Sequence, residues 1–266
     1  MPVDNELYDR LSDTWWDEAG FLHVLKALNP GRFGYMRRVL LEDLGLDVKG
    51  LKALDVGCGG GILAEEFAGL GCAVTGVDPS EKSLAAARAH AAQVGREINY
   101  RHGSGEALPF EDAAFDIVYC CDVLEHVDDL EQVIAESARV LRAGGVYLYD
   151  TINRTFQSKL IVIKLFQEWS WTSFMPPHLH DWRMFIKPRE LQALLTRHGL
   201  EPRGLTGLRP RANPLGTIRA LRARKRGRLT YVEATRRMDL GESEDKSVLF
   251  MGYAVKPAGA AGPAVA

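Results

Sequence analysis

Short apolar runs alternate with amphipathic stretches along most of this chain. Residues 51–56, 73–77, 115–121 and 146–150 are short and largely apolar, and residues 98–102 alternate apolar with polar, which predicts five strands. Between them, residues 61–70, 81–94 and 130–141 space their apolar side chains as helices do. Ser80 is a ready N-cap for the second of these, Gly95 ends it, and Gly144-Gly145 stop the third. A further helix is expected over 188–198, closed by Gly199, and strands over 200–206 and 248–255 form a hairpin-like pair. Helices over 5–16 and 33–45 precede the alternation. Strands alternating with helices at this spacing predict an α/β fold: a doubly wound, seven-stranded, mostly parallel sheet with helices on both faces. The expected organisation is an N-terminal helical cap (1–50), one Rossmann-like domain (51–255) with an inserted segment at 155–185, and a tail (256–266). The tail's Pro, Gly and Ala repeats read as low complexity and disorder.

In an open sheet of this kind ligands bind beyond the carboxyl ends of the strands. Those ends carry Asp55–Gly61, Asp78, residues 103–106, 121–126 and 151–154, all rich in polar residues and glycine. The first is Asp55-Val56-Gly57-Cys58-Gly59-Gly60-Gly61, and Asp78 follows about twenty residues later at the end of the next strand. This layout seats a nucleoside over a strand-to-helix turn, with the Asp78 carboxylate facing two ribose hydroxyls. Ile62 stands where a dinucleotide fingerprint needs its last glycine, and no Gly-Lys-Ser/Thr is present, so NAD and P-loop readings are disfavoured. Asp55 before the turn suits an ammonium or sulfonium and repels a pyrophosphate.

Composition changes the picture little. The 266 residues include 46% hydrophobic and 26% charged positions, which fits a soluble globular chain, and a net charge of −2 gives no general pull toward nucleic acid. Cys58, Cys72, Cys120 and Cys121 lie in or beside apolar runs without zinc spacing, so free buried thiols are expected. The first thirty residues lack the apolar core of a signal peptide, and no uncharged apolar run approaches membrane-spanning length, so a cytoplasmic protein is expected. Residues 159–177, however, are mostly apolar and carry Trp169 and Trp171, and Arg219, Arg222, Arg224, Lys225, Arg226 and Arg228 follow later. An apolar, tryptophan-bearing helix with a basic cluster suits a peripheral membrane contact. A pocket lid or a dimer contact are the alternatives, and the oligomeric state is open.

The glycine turn resembles motif I of the class I S-adenosylmethionine-dependent methyltransferases. Further segments narrow the resemblance to the O-methyltransferases of ubiquinone synthesis. Asn29-Pro30-Gly31-Arg32-Phe33-Gly34-Tyr35 and Trp15-Trp16 are similar to segments ahead of that family's core. Asp122-Val123-Leu124-Glu125-His126-Val127, Asn153-Arg154, His180-Asp181 and Ile186-Lys187-Pro188 are similar to its later ones. The resemblance implies S-adenosylmethionine as cofactor, held by Arg32, Asp55, Gly57, Cys58, Gly59, Gly61, Asp78, Pro79, Ser104, Gly105, Glu106, Cys121 and Asp122. It implies a phenolic or catechol hydroxyl of a quinone precursor as acceptor, with Asn153, Arg154, Trp16 and Trp169 as substrate residues. It also implies a membrane-contacting insertion after the fifth strand. Asp122 replaces the family's usual Glu, Cys121 a frequent Met, and Ser104 a frequent Asp, while residues 155–180 match nothing closely.

His126 is the candidate base, Glu125 its neighbour, and His180 a rival base. Complete deprotonation of a phenol (pKa about 10) by an imidazole (about 6.5) costs about 5 kcal/mol, so the proton should leave as the methyl transfers, or a cation must acidify the phenol. Asp122, Glu125 and His126 at i, i+3 and i+4 would share one helical face and could hold a divalent metal. Two other readings stay open: methylation of carbon or another atom, and a non-catalytic S-adenosylmethionine-binding protein.

Overall fold

The computed structural model describes residues 5–173 and 175–258. Eight strands form one sheet in the order β3-β2-β1-β4-β5-β8-β6-β7. The strands are β1 (Lys52–Val56), β2 (Ala73–Asp78), β3 (Asn99–His102), β4 (Phe115–Cys121), β5 (Leu141–Ile152), β6 (Glu201–Pro210), β7 (Leu240–Ser243) and β8 (Leu249–Val255). The first five are parallel, β8 runs antiparallel to both β5 and β6, and β7 is antiparallel to β6. The expected seven strands are present, and β7 is an eighth. Its residues, Leu240-Gly241-Glu242-Ser243, hold a single large apolar side chain, so no alternation announces it.

Helices α1 (Asn5–Leu11) and α2 (Val24–Arg38) precede the sheet. Then come α3 (Ile62–Gly69), α4 (Glu81–Gln93) and α5 (Leu130–Val140), in the crossovers expected. Ser80 caps α4 by accepting from the Ser83 amide at 3.1 Å. After β5, α6 (Phe156–Ser158) runs into a wider π-type helix over Lys159–Glu168. Finally come α7 (Pro188–Arg197), α8 (Pro214–Lys225) and α9 (Tyr231–Met238). Apolar side chains pack on both faces of the sheet; in one of these cores Phe67 stacks on Tyr119 with ring centroids 3.9 Å apart.

Four expectations are corrected. The first helix stops at Leu11, and a 3-10 turn, Ser12–Thr14, takes its place over the residues that follow. The second begins at Val24 rather than residue 33 and passes through Pro30 and Gly31. A Cβ on Gly31 would collide with Leu208 and the Leu240 carbonyl, so the glycine lets α2 lie directly against β6 and β7. Residues 214–238, left without regular structure by the sequence reading apart from a basic cluster, fold as α8 and α9. Lys256 is clamped rather than loose: its ammonium donates to the Ala138 and Leu141 carbonyls at 2.7 Å, and its backbone pairs with Gly144 and Gly145. The rest of the expected tail, 259–266, lies outside the described residues. The four cysteines are free; three are buried and Cys121 is half-buried.

Candidate active site

The strand order reverses between β1 and β4, which splays the chain apart at their carboxyl ends and leaves a crevice there. The crevice opens into a cavity of about 1060 Å³. Arg32, Asp55, Gly57, Cys58, Gly59, Asp78, Pro79, Ser104, Gly105, Glu106, Cys121 and Asp122 line it. So do His126 and His180, together with apolar side chains such as Leu165, Phe166 and Met238 that make up an apolar chamber.

The glycine turn is shaped by packing as well as by access. Gly57, Gly59 and Gly61 all adopt left-handed φ values, +74°, +50° and +80°. A Cβ at Gly57 would strike Val123, at Gly59 the Trp15 ring, and at Gly61 the Tyr100 hydroxyl. Gly61 itself caps α3 and does not line the cavity. Asp78 closes the turn: its carboxylate accepts from the Gly59 amide at 2.8 Å and the Ser80 amide at 2.9 Å. Burial lifts its pKa to about 6, against the pull of those two amides.

Arg32 is buried and ties α2 to the ends of β4 and β5. Its guanidinium donates to Asp122 at 2.5 Å, to Asp150 at 3.2 Å and to Asn29 at 3.2 Å. Burial works against its charge, but the Asp122 and Asp150 carboxylates outweigh that and hold it protonated. Asp122 sits at φ +53° and donates its amide to Asp150 at 2.8 Å. Burial and the Asp122 charge raise Asp150 to about 7.

The left-handed Asp122 breaks the helical path that the i, i+3, i+4 spacing suggested, and residues 122–129 form turns. A different donor set meets instead. Atoms of Glu125, His126 and His180 all lie within 4.8 Å of one another, while Asp122 turns to Arg32. The two imidazoles are 5.0 Å apart, centroid to centroid, and Tyr8 meets His126 edge-on at 6.2 Å. Burial lowers His126 to about 4 although Asp122 opposes the fall, and it lowers His180 as well. Glu125 accepts from the Thr151 hydroxyl at 2.7 Å and is raised to about 8, by burial first and by Asp122 second. At neutral pH the cluster therefore holds two neutral imidazoles and a largely protonated carboxyl.

The residues read as substrate contacts sit elsewhere. Trp16 donates to the Gly60 carbonyl at 2.9 Å and stacks flat on His90 at 3.4 Å, facing away from the cavity. Its neighbour Trp15 is the one that lines the cavity, with its indole N–H donating to Ser83 at 3.0 Å. Asn153 donates to the Lys246 carbonyl at 2.7 Å, and Arg154 is paired with Glu190. Trp169 is exposed and stacks on Trp171. Sequence reasoning missed Tyr8, Phe21 and Leu22 from the N-terminal segment, and Pro210, Ile218, Met238 and Leu240 from the far side. Only the Trp15-Trp16 pair signalled the first group, and nothing signalled the second.

The 155–185 insertion roofs the chamber. Ile161, Val162, Leu165, Phe166, Met175 and Leu179 face the cavity, whereas Phe156, Leu160, Trp169 and Trp171 are exposed. Arg222 of α8 lies over the Trp171 ring at 4.9 Å, and Lys225 donates to Ser173 at 2.8 Å.

A methyltransferase-domain family model matches residues 54–149. The ubiquinone biosynthesis O-methyltransferase of Dinoroseobacter shibae is 38% identical over 204 residues, 73% of this chain and 80% of its own. The protein of that name from Maricaulis maris is 34% identical and covers 97% of this chain and 94% of its own. Among solved structures, a SAM-dependent methyltransferase of Thermotoga maritima, described as a possible histamine N-methyltransferase, aligns with a TM-score of 0.56 at 18% identity. It covers 94% of this chain and 95% of its own, and it supports the fold. With the end of β1, its turn and β4 inside the matched domain, and with relatives above 30% identity covered over most of their length, the chain belongs to the ubiquinone biosynthesis O-methyltransferase family.

Proposed function

We propose that this enzyme methylates a phenolic or catechol hydroxyl of a quinone precursor, using S-adenosylmethionine. One observation carries the reading: a single cavity runs from the Asp55–Asp78 turn past His126 into an apolar chamber. The turn supports this reading. Asp55 offers an unpartnered buried oxygen there, and Asp78 at the end of β2 lines the same cavity, which suits a carboxylate meant for the ribose hydroxyls. Bound S-adenosylmethionine supplies a methyl group already activated on a sulfonium sulfur. The protein's part is to orient the acceptor oxygen, exclude water and take up its proton. His126, neutral and open to the cavity, is the acceptor for that proton. With its pKa near 4, prior ionisation of a phenol would cost roughly 8 kcal/mol, so proton and methyl move together or the acceptor is acidified first.

Glu125, His126 and His180 also form a donor set suited to a divalent cation; with a cation there His126 would be a ligand in place of a base, and the cation would acidify the catechol and bring Glu125 to its ionised form. The deciding experiment is a panel of phenols, catechols and carbon acceptors with labelled cofactor, run with EDTA and then with added magnesium or zinc. O-methylated catechol is expected, and loss of turnover to EDTA with recovery on added metal is the result that makes His126 a ligand rather than the base. Carbon-methylated product, or turnover untouched by EDTA, overturns the acceptor or the metal assignment respectively.

The outer face of the insertion supports a peripheral membrane contact. No helix among the described residues is long and apolar enough to cross a bilayer. Trp169, Trp171 and Phe156 are exposed and Arg222 of α8 lies over the Trp171 ring, which sets a cation able to meet anionic lipid against an interfacial aromatic. The protein is expected to float with anionic liposomes, and a Trp169→Ser/Trp171→Ser variant is expected to lose most of that binding. Equal flotation of the variant would move the contact elsewhere.

A further inference from the structure

The glycine turn leaves one acid without a partner. Asp55 is 3% exposed, and its Oδ2 has no hydrogen-bond partner although the residue lines the cavity. Arg32, the buried cation nearby, is committed to Asp122, Asp150 and Asn29. A carboxylate held in an apolar wall without a counter-charge takes up a proton rather than remain ionised. Burial accordingly pushes Asp55 up to about 8; Arg32 opposes the rise, Asp78 adds to it, and a weak hydrogen-bonding contribution from the Tyr119 hydroxyl opposes it, leaving Oδ2 unpartnered. The other titratable groups facing it are Cys58 on the turn, Tyr100 of β3, and Cys120 and Cys121 of β4. Burial raises all of these, and Tyr119 too, so they stay neutral.

We propose that Asp55 is a proton-coupled seat for a cationic amine: it is a neutral carboxyl in the free protein and becomes a carboxylate when the cofactor's α-ammonium docks. The carboxyl O–H bond breaks, its proton passes to solvent, and the carboxylate pairs with the ammonium; nothing is oxidised or reduced. The inference rests on the S-adenosylmethionine reading of the cavity. Its consequence is a linkage between occupancy and pH. An acid with a pKa of about 8 is roughly nine-tenths protonated at pH 7, so binding there releases about 0.9 proton. Above pH 8 Asp55 is mostly ionised before the ligand arrives, so less proton is left to release. Release falls to about half a proton at pH 8 and about a tenth by pH 9.

Calorimetric titration of the whole protein with S-adenosylhomocysteine, in phosphate and in Tris, measures this directly. The two buffers differ in ionisation enthalpy, so the difference in observed heat counts protons. About 0.9 proton released at pH 7, fading toward pH 9, is the expected result. 5′-Methylthioadenosine shares the nucleoside and sulfur but lacks the amino acid, so it should engage Asp78 and release only about 0.1 proton at pH 7. Asp55→Asn should bind S-adenosylhomocysteine roughly tenfold or more weakly, with the buffer dependence gone and 5′-methylthioadenosine affinity unchanged. Buffer-independent heats with S-adenosylhomocysteine, or equal release by both ligands, would overturn the proposal. The wild-type comparison decides the matter even if the variant does not fold. No binding of S-adenosylhomocysteine at all would instead defeat the cofactor reading.

Discussion

His126→Ala lowers kcat with a catechol acceptor by about 10²–10⁴-fold and leaves S-adenosylhomocysteine affinity within about twofold. The expectation follows from position and protonation together. His126 lines the cavity but is no part of the glycine turn, so its loss should touch the acceptor step rather than cofactor binding. Burial holds its pKa near 4, so the free imidazole is ready as a base across pH 5–9. A profile of kcat/KM should therefore lack the inflection near 6.5 that an ordinary histidine gives and should follow the acceptor's own ionisation. Full activity in the variant would hand the proton to His180. An inflection near 6.5 would show that the imidazole is more solvated than its surroundings imply.

Arg32→Met destabilises the fold by roughly 3–5 kcal/mol at pH 8.5 and by much less at pH 6. The guanidinium holds two carboxylates, and Asp150 is buried. Removing it strands those charges. The pH dependence has a definite sign. Asp150 titrates near 7 in the folded protein against about 3.9 in an unfolded chain, so the native state binds more protons between those values. Its contribution to stability is fully present below about pH 4 and is lost as pH rises through 7. Without Arg32 the folded pKa climbs further, so the group stays neutral at pH 6 and suffers most where it must ionise. Urea unfolding of both proteins at the two pH values reads this as a gap that widens with pH. A gap independent of pH would mean that Arg32 acts through packing alone.

What the sequence made legible and what it hid have separate physical causes. β1, its turn, β2 and β4 stood out because buried parallel strands are short apolar runs and because the turn needs residues that tolerate left-handed backbone. The site residues at those strand ends came with them, since topology fixes where strand ends meet. α2 was hidden because Pro30-Gly31 reads as a break, while tertiary contact with Leu208 and Leu240 overrides that local preference. α8 and α9 carried readable start signals that went unread. Asn213 before Pro214 caps the one, and Thr230 with Glu233 boxes the other. Their polar composition masked any core-facing stripe. Trp16, Asn153 and Arg154 show the limit of segment resemblance. It identifies a shared stretch of chain, but not which side chain turns inward and which is used up in joining one element to the next.

The tryptophan pair also orders events during folding. Trp15 reaches Ser83 and Trp16 reaches Gly60, so the segment around them is tied to partners many residues further along the chain. These ties can form only once the β1–α4 unit exists. The pocket's near wall is thus supplied from a distance in sequence, and the crevice is finished only when that segment has docked on it.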